Sequence, residues 1–154
     1  MAYVIESPYE RIEIEAEDRS TVLEADLSVE AVTDFGARLK KVMASMKALD
    51  PLVQKAASEG RVRKMAKLNA RAQAAVEDAC ASILGDDGVR KFKTDLFPGR
   101  KQALKPMLGL LRVLEEAVRG AGETYRSQGE KAAHYLSEVR VAQTDTDPSP
   151  EQAG

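Results

Sequence analysis

The residues able to do covalent, acid–base or metal chemistry are few in this sequence, and their spacing leaves each without a chemical partner. His134, in "KAAHYLSE", is the only histidine, and Cys80, in "EDACASIL", is the only cysteine. A zinc site draws on closely spaced His and Cys ligands, and neither residue has a second ligand at such spacing. Cys80 lies among alanines in a helical stretch, where a small buried thiol is the ordinary outcome, and His134 reads as a helical surface residue. The carboxylates of "IEIEAE" alternate, which places Glu13, Glu15 and Glu17 on one strand face, while Glu115 and Glu116 are neighbours on a helix. Both patterns read as solvated faces. "GDDG" at 85–88 lacks the length and the closing glutamate of a calcium-binding loop, and no GxxxxGK[ST] phosphate loop occurs. These residues imply no cofactor, no metal and no catalytic constellation, so the chain reads as non-enzymatic.

One charge pattern does point to a partner. Arg61, Arg63, Lys64, Lys67 and Arg71 fall within "RVRKMAKLNAR", and Lys64, Lys67 and Arg71 share a helical spacing. Arg90, Lys91, Lys93, Arg100, Lys101 and Lys105 follow. Phosphates neutralised by such a run release counterions, which makes binding salt dependent. Against nucleic acid stand a pI of about 5.6 and the lack of a helix-turn-helix signature or an aromatic stacking platform. The basic segment 61–105 is therefore either a polyanion-binding surface or a charged helical face that pairs with acidic parts of the same chain.

Those acidic parts lie on both sides of it. Residues 1–50 carry 6 basic and 11 acidic side chains, residues 51–105 carry 12 and 6, and residues 106–154 carry 5 and 8, for a net charge of −2. A chain of 154 residues fits one domain that needs no disulfide or metal staple. One cysteine cannot bridge within the chain, which fits a reducing cytoplasm. "MAYVIESPYE" has neither a basic n-region nor an apolar h-region, and no run approaches the roughly 18–20 apolar residues that cross a bilayer. The expectation is a cytoplasmic protein with no membrane segment.

The elements that position these groups are mainly helical. In "YERIEIEAEDRSTVLEADLS" apolar residues alternate through Ile12, Ile14 and Ala16, then through Leu23, Ala25 and Leu27, which predicts a β-hairpin with a four-residue loop at "EDRS". "AYVIE" offers a third strand. Ser28 is the expected N-cap of a first helix that ends near Leu49, where Asp50-Pro51 reads as the start of another. Gly60 ends that second piece, the alanine-rich stretch 61–84 forms the next helix, and "GDDG" reads as a stop and loop. "VRKFKTDLFPGRK" then reads as a short segment covering the core, and a last helix follows from about Lys105. The fold class expected is mainly α (α+β): one domain over 1–140, with the hairpin at about 9–27 and a multi-helix bundle at about 29–138. Residues 141–154 read as a disordered acidic tail.

Val32, Phe35, Leu39, Val42, Met46, Leu49 and Val53 follow one another at steps of three and four along the first helix. Such a stripe serves first the chain's own core, and an edge of it is left for a second subunit or a helical client. The candidate contacts are Leu39, Val42, Met46 and Leu49.

The hairpin in "YERIEIEAEDRSTVLEADLS", the direct step into "VEAVTDFGARLKKVMASM", the helical body and the tail "DTDPSPEQAG" together resemble the small tail assembly chaperones of long-tailed bacteriophages and prophages. Residues 9–49 carry most of the likeness. The resemblance implies a non-enzymatic protein of the bacterial host cytoplasm, a homo-oligomer that holds the long helical tape measure protein until tail-tube protein polymerises around it. Another small phage structural or scaffolding protein, or a nucleic-acid-binding accessory protein using segment 61–105, would share much of this layout.

Overall fold

The computed structural model describes residues 2–3, 7–99 and 104–146, the last eight as backbone. Five elements follow in order: β1 (Tyr9–Ala16), β2 (Arg19–Asp26), α1 (Val29–Ser58), α2 (Val62–Leu96) and α3 (Leu104–Thr146). The fold is mostly helical behind an N-terminal antiparallel hairpin, as the sequence periodicity predicts. The chain divides into two compact units, Met1–Val118 and Arg119–Gly154.

β1 and β2 pair with Ile12 opposite Leu23 and Ile14 opposite Thr21. Because strand side chains alternate, that register gathers Ile12, Ile14, Thr21, Leu23 and Ala25 on one face, with Leu23 and Ala25 sealed from solvent. The connecting loop is two residues, Glu17 and Asp18, rather than the four expected. Arg19 pairs with Ala16, and Ser20 with Glu15, because polar residues on a solvated face extend a ladder as readily as apolar ones. The tight turn holds Glu17 at φ +58°, the left-handed conformation that two-residue hairpin loops require. Of the third strand proposed in "AYVIE", residues 4–6 lie outside the described residues.

Ser28 caps α1 as expected, its Oγ accepting the Ala31 N–H at 3.3 Å. The helix does not stop at Leu49. It runs through Pro51 to Ser58, although proline gives up the bond its N–H would donate to the Lys47 carbonyl. Half-buried Val53 and buried Ala56 lie beyond the proline, and their burial offsets that loss. Gly60, at φ +68°, then closes the helix: its N–H bonds the Ala57 carbonyl, and the Arg61 N–H bonds the Ala56 carbonyl at 2.8 Å. This tight close turns α2 back antiparallel to α1, and Arg38 of α1 binds Asp78 of α2.

α2 is interrupted at one residue only. Gly85 takes φ 73°, ψ 166°, and Asp86, Asp87 and Gly88 already belong to the helix beyond it, so the expected loop over 85–88 shrinks to a kink. Carboxylates in the first turn after a break favour the new helix N-terminus, which explains why "DD" can start a helix as well as end one. After the kink, Val89, Phe92 and Leu96 are buried, and Phe92 meets Phe97 edge-on with ring centroids 5.8 Å apart. The segment belongs to the core itself. It also seats the hairpin, through Thr21 on Asp95 and Lys91 on the Val22 carbonyl.

Met107, Leu110, Leu111 and Leu114 of α3 are buried and complete the core of the first unit with Phe35, Val42, Val76, Cys80 and Ile83. In the second unit, α3 is helical to Thr146; of the expected acidic tail, residues 147–154 lie outside the described residues. There Arg126 and Glu130, and His134 and Glu138, are exposed pairs one helical turn apart. No helix among the described residues is long and apolar enough to cross a membrane.

Candidate functional site

The apolar stripe of α1 is divided by its own packing. Phe35 and Val42 are buried, at 1% and 3% exposure, while Leu39, Met46, Leu49 and Val53 are half-buried. Of the four candidate contact residues, Val42 thus points into the packed face, and the other three lie along its open margin. Beside them Met43 and Leu52 are exposed, at 65% and 42%.

The lower half of the stripe borders an open groove of about 140 Å³. Met46, Leu49 and Val53 form one wall, Leu68 and Ala72 of α2 the other, and Leu104 at the start of α3 closes the end, with Asp50 and Asn69 at the rim. An apolar space of about 150 Å³ holds a benzene-sized group. The groove therefore suits a single leucine- or phenylalanine-sized side chain of a partner. Helical spacing in the alanine-rich stretch marks Leu68 and Ala72 as an apolar face, but not as part of a groove, and Leu104 is not singled out at all, because the groove joins three helices and no one helix displays it.

The polar groups are spent on holding elements together. Lys93 is paired with Glu77 across the α2 kink, both about three-quarters buried. Arg38 bonds Asp34 within α1 and both the side chain and the carbonyl of Asp78 on α2. Three grooves of about 350–520 Å³ surround the kink, lined by such groups as Glu77, Asp78, Arg90, Lys91 and Lys93. Carboxylates already paired with cations make poor general bases, and the hydroxyl of Ser82, which lines one of these grooves, donates to the Ala79 carbonyl at 2.6 Å. Burial pushes the Cys80 thiol up to about 12, with the charge of Glu77 adding to the effect, so Cys80 is a neutral core side chain at physiological pH. Among the described residues no three His, Cys, Asp or Glu side chains converge as a metal site.

The basic residues stand apart from this network. Arg61, Arg63, Lys64, Lys67 and Arg71 are all exposed. Arg61 pairs with Glu59 at 3.0 Å; among the described residues the other four have no ion-pair partner. At about 100° per residue, Arg63, Lys67, Arg71 and Lys64 fall within an arc of about 100°, next to and separate from the arc that buries Leu68, Ala72 and Val76. Among the described residues these four side chains do not pair with the acidic segments.

No protein-family model matches this sequence, and neither a curated protein nor a solved structure matches it.

Proposed function

We propose that the chain is a non-catalytic phage tail assembly chaperone that, as an oligomer in the host cytoplasm, holds a helical tape measure protein during tail morphogenesis. The observation that carries this reading is the open apolar groove bordered by Met46, Leu49, Val53, Leu68 and Leu104. A helical client presents apolar side chains at steps of three and four, and one such knob fills the groove while its neighbours lie along Leu39 and the exposed Met43. Met46 in the groove and Met43 beside it adapt to successive, non-identical stretches of a long client.

The reading requires a long helical protein encoded beside this gene, and the test is co-expression with it. Co-purification that survives high salt, and that is lost in Met46→Glu and Leu49→Glu variants of unchanged helix content, supports the reading. A client retained by both folded variants rejects the groove as its site.

A second reading, nucleic-acid binding, is favoured by the exposed face of Arg63, Lys64, Lys67 and Arg71. It predicts retention of an oligonucleotide that falls steeply with salt and is lost in Lys64→Glu/Lys67→Glu.

A further inference from the structure

The hairpin and the basic face of α2 carry opposite charge, belong to one compact unit, and among the described residues do not pair with each other. From Tyr9 to Asp26 the hairpin has seven acidic residues and two basic ones; from Arg61 to Val76 there are five basic residues and no acidic one. The hairpin's outer face presents Tyr9, Arg11, Glu13 and Glu15 on β1 and Ser20, Val22, Glu24 and Asp26 on β2, the set opposite to the buried one. Glu13, Glu15 and Glu24 are exposed and, among the described residues, have no ion-pair partner.

Among the described residues no ion pair joins these two surfaces. The hairpin is seated on α2 around Gly85: Tyr9, Glu24 and Asp26 border Ala81 to Gly85, and Thr21 bonds Asp95 beyond the kink, where α2 has folded back far enough for Lys93 to pair with Glu77. The outward charges of Glu13, Glu15 and Glu24 and of Arg63, Lys64, Lys67 and Arg71 are thus left exposed to solvent and available between chains.

We infer that the protein self-associates head to tail, the acidic outer face of one hairpin seated on the basic face of α2 of the next copy. The hairpin's outer face also carries an exposed apolar side chain, Tyr9 at 54% exposure, which gives the charged contact something to bury. A second copy is favoured over a polyanion because the same chain carries the complementary surface at equal concentration, and that acidic hairpin repels nucleic acid. The contact joins two different patches, so a pair of copies still keeps one free surface of each kind. Such a contact propagates into a ring or an open filament instead of stopping at a dimer. This inference is independent of the client proposed for the apolar groove.

Sedimentation velocity on the full chain tests it. At about 20 mM salt the mean mass should rise at least about two-fold above the 16.8 kDa monomer, and at about 500 mM it should return to the monomer. Glu13→Lys/Glu15→Lys and Lys64→Glu/Lys67→Glu, all exposed positions, should each be monomeric at low salt with unchanged circular dichroism. An equimolar mixture of the two variants should regain the low-salt mass, because each reversed surface then faces an opposite charge on the other variant. A wild-type chain that stays monomeric at low salt overturns the inference, as does an assembly indifferent to salt and to both variants, or a mixture that stays monomeric. Oligonucleotide binding abolished by Lys64→Glu/Lys67→Glu, with wild-type mass unaffected by salt, overturns it in favour of a polyanion partner.

Discussion

Thr21 donates its hydroxyl to Asp95 Oδ2 at 2.6 Å, joining β2 to the last turn of α2 across 74 residues of sequence. Thr21 is 5% exposed, so this bond answers a polar group that water does not reach. A two-stranded sheet is marginal by itself, and the hairpin depends on such attachment. Lys91 adds a second, donating to the Val22 carbonyl at 2.9 Å. The single main-chain bond from the Leu27 N–H to the Pro8 carbonyl fixes the alternation of the ladder, and by that alternation the Val22 carbonyl points away from β1, toward α2.

Replacing Thr21 by valine keeps the shape and removes the donor. The expected loss is about 1–2 kcal/mol, from the lost bond and from a partly buried Asp95 left short of a partner. Urea unfolding of Thr21→Val, Asp95→Ala and the double variant should show a coupling of about 1 kcal/mol; additive losses would mean that the two side chains act separately.

Gly85 should not tolerate a side chain even though a Cβ there meets nothing within 4 Å. Its φ of 73° with ψ of 166° lies where residues other than glycine are strained by about 1–3 kcal/mol. Gly85→Ala should therefore destabilise by that amount in thermal or urea unfolding. A neutral result would mean that the kink is relaxed to a regular helix.

Pro51 is the converse case, a residue that local rules place at a helix start and that the packed fold absorbs. Pro51→Ala restores an N–H inside α1 and should stabilise by about 1–3 kcal/mol, less the entropy that proline removes from the unfolded chain. An unchanged or lower midpoint would show that α1 is already broken in solution. The same contest explains what the sequence discloses. Alternation in "IEIEAE" and the steps from Phe35 to Val53 are local patterns, and they locate the hairpin and α1. The two-residue turn, the passage through Pro51 and the single-residue kink depend on which partner surface each segment meets, and that partner is remote in sequence. The groove follows suit: Met46 and Leu49 are legible as apolar stripe, but their exposure is decided by how far Leu68 and Leu104 cover them. The basic face is legible outright, because no acidic residue interrupts it from Arg61 to Val76.

Cys80 supplies a pH dependence with a definite sign. Burial raises its folded value from 9.0 to about 12, so the folded protein holds a proton that the unfolded chain has released. The contribution of this group is fully present below about pH 9 and declines as pH rises toward about 12. Cys80→Ala should flatten the stability profile in that window while lowering stability slightly below it. At neutral pH, a thiol reagent should modify Cys80 only on unfolding; rapid modification of the native protein would contradict its burial.

The division of the chain predicts what can be removed. Every described residue that is fully buried lies at or before Leu114, and within the second unit the side chains from Arg126 to Glu138 are all exposed. A helix with no buried face relies on its own propensity and exposed pairs such as His134 with Glu138, which contribute a few tenths of a kcal/mol. Ending the chain after Val118 should therefore lower the helical circular dichroism signal while shifting Tm by no more than about 4 °C. In the intact protein, amides from Arg126 to Glu138 should exchange with solvent far faster than those from Met107 to Leu114. Equal protection along α3, or a truncated chain that fails to fold, would show that the second unit is packed against an apolar surface and contributes to the core.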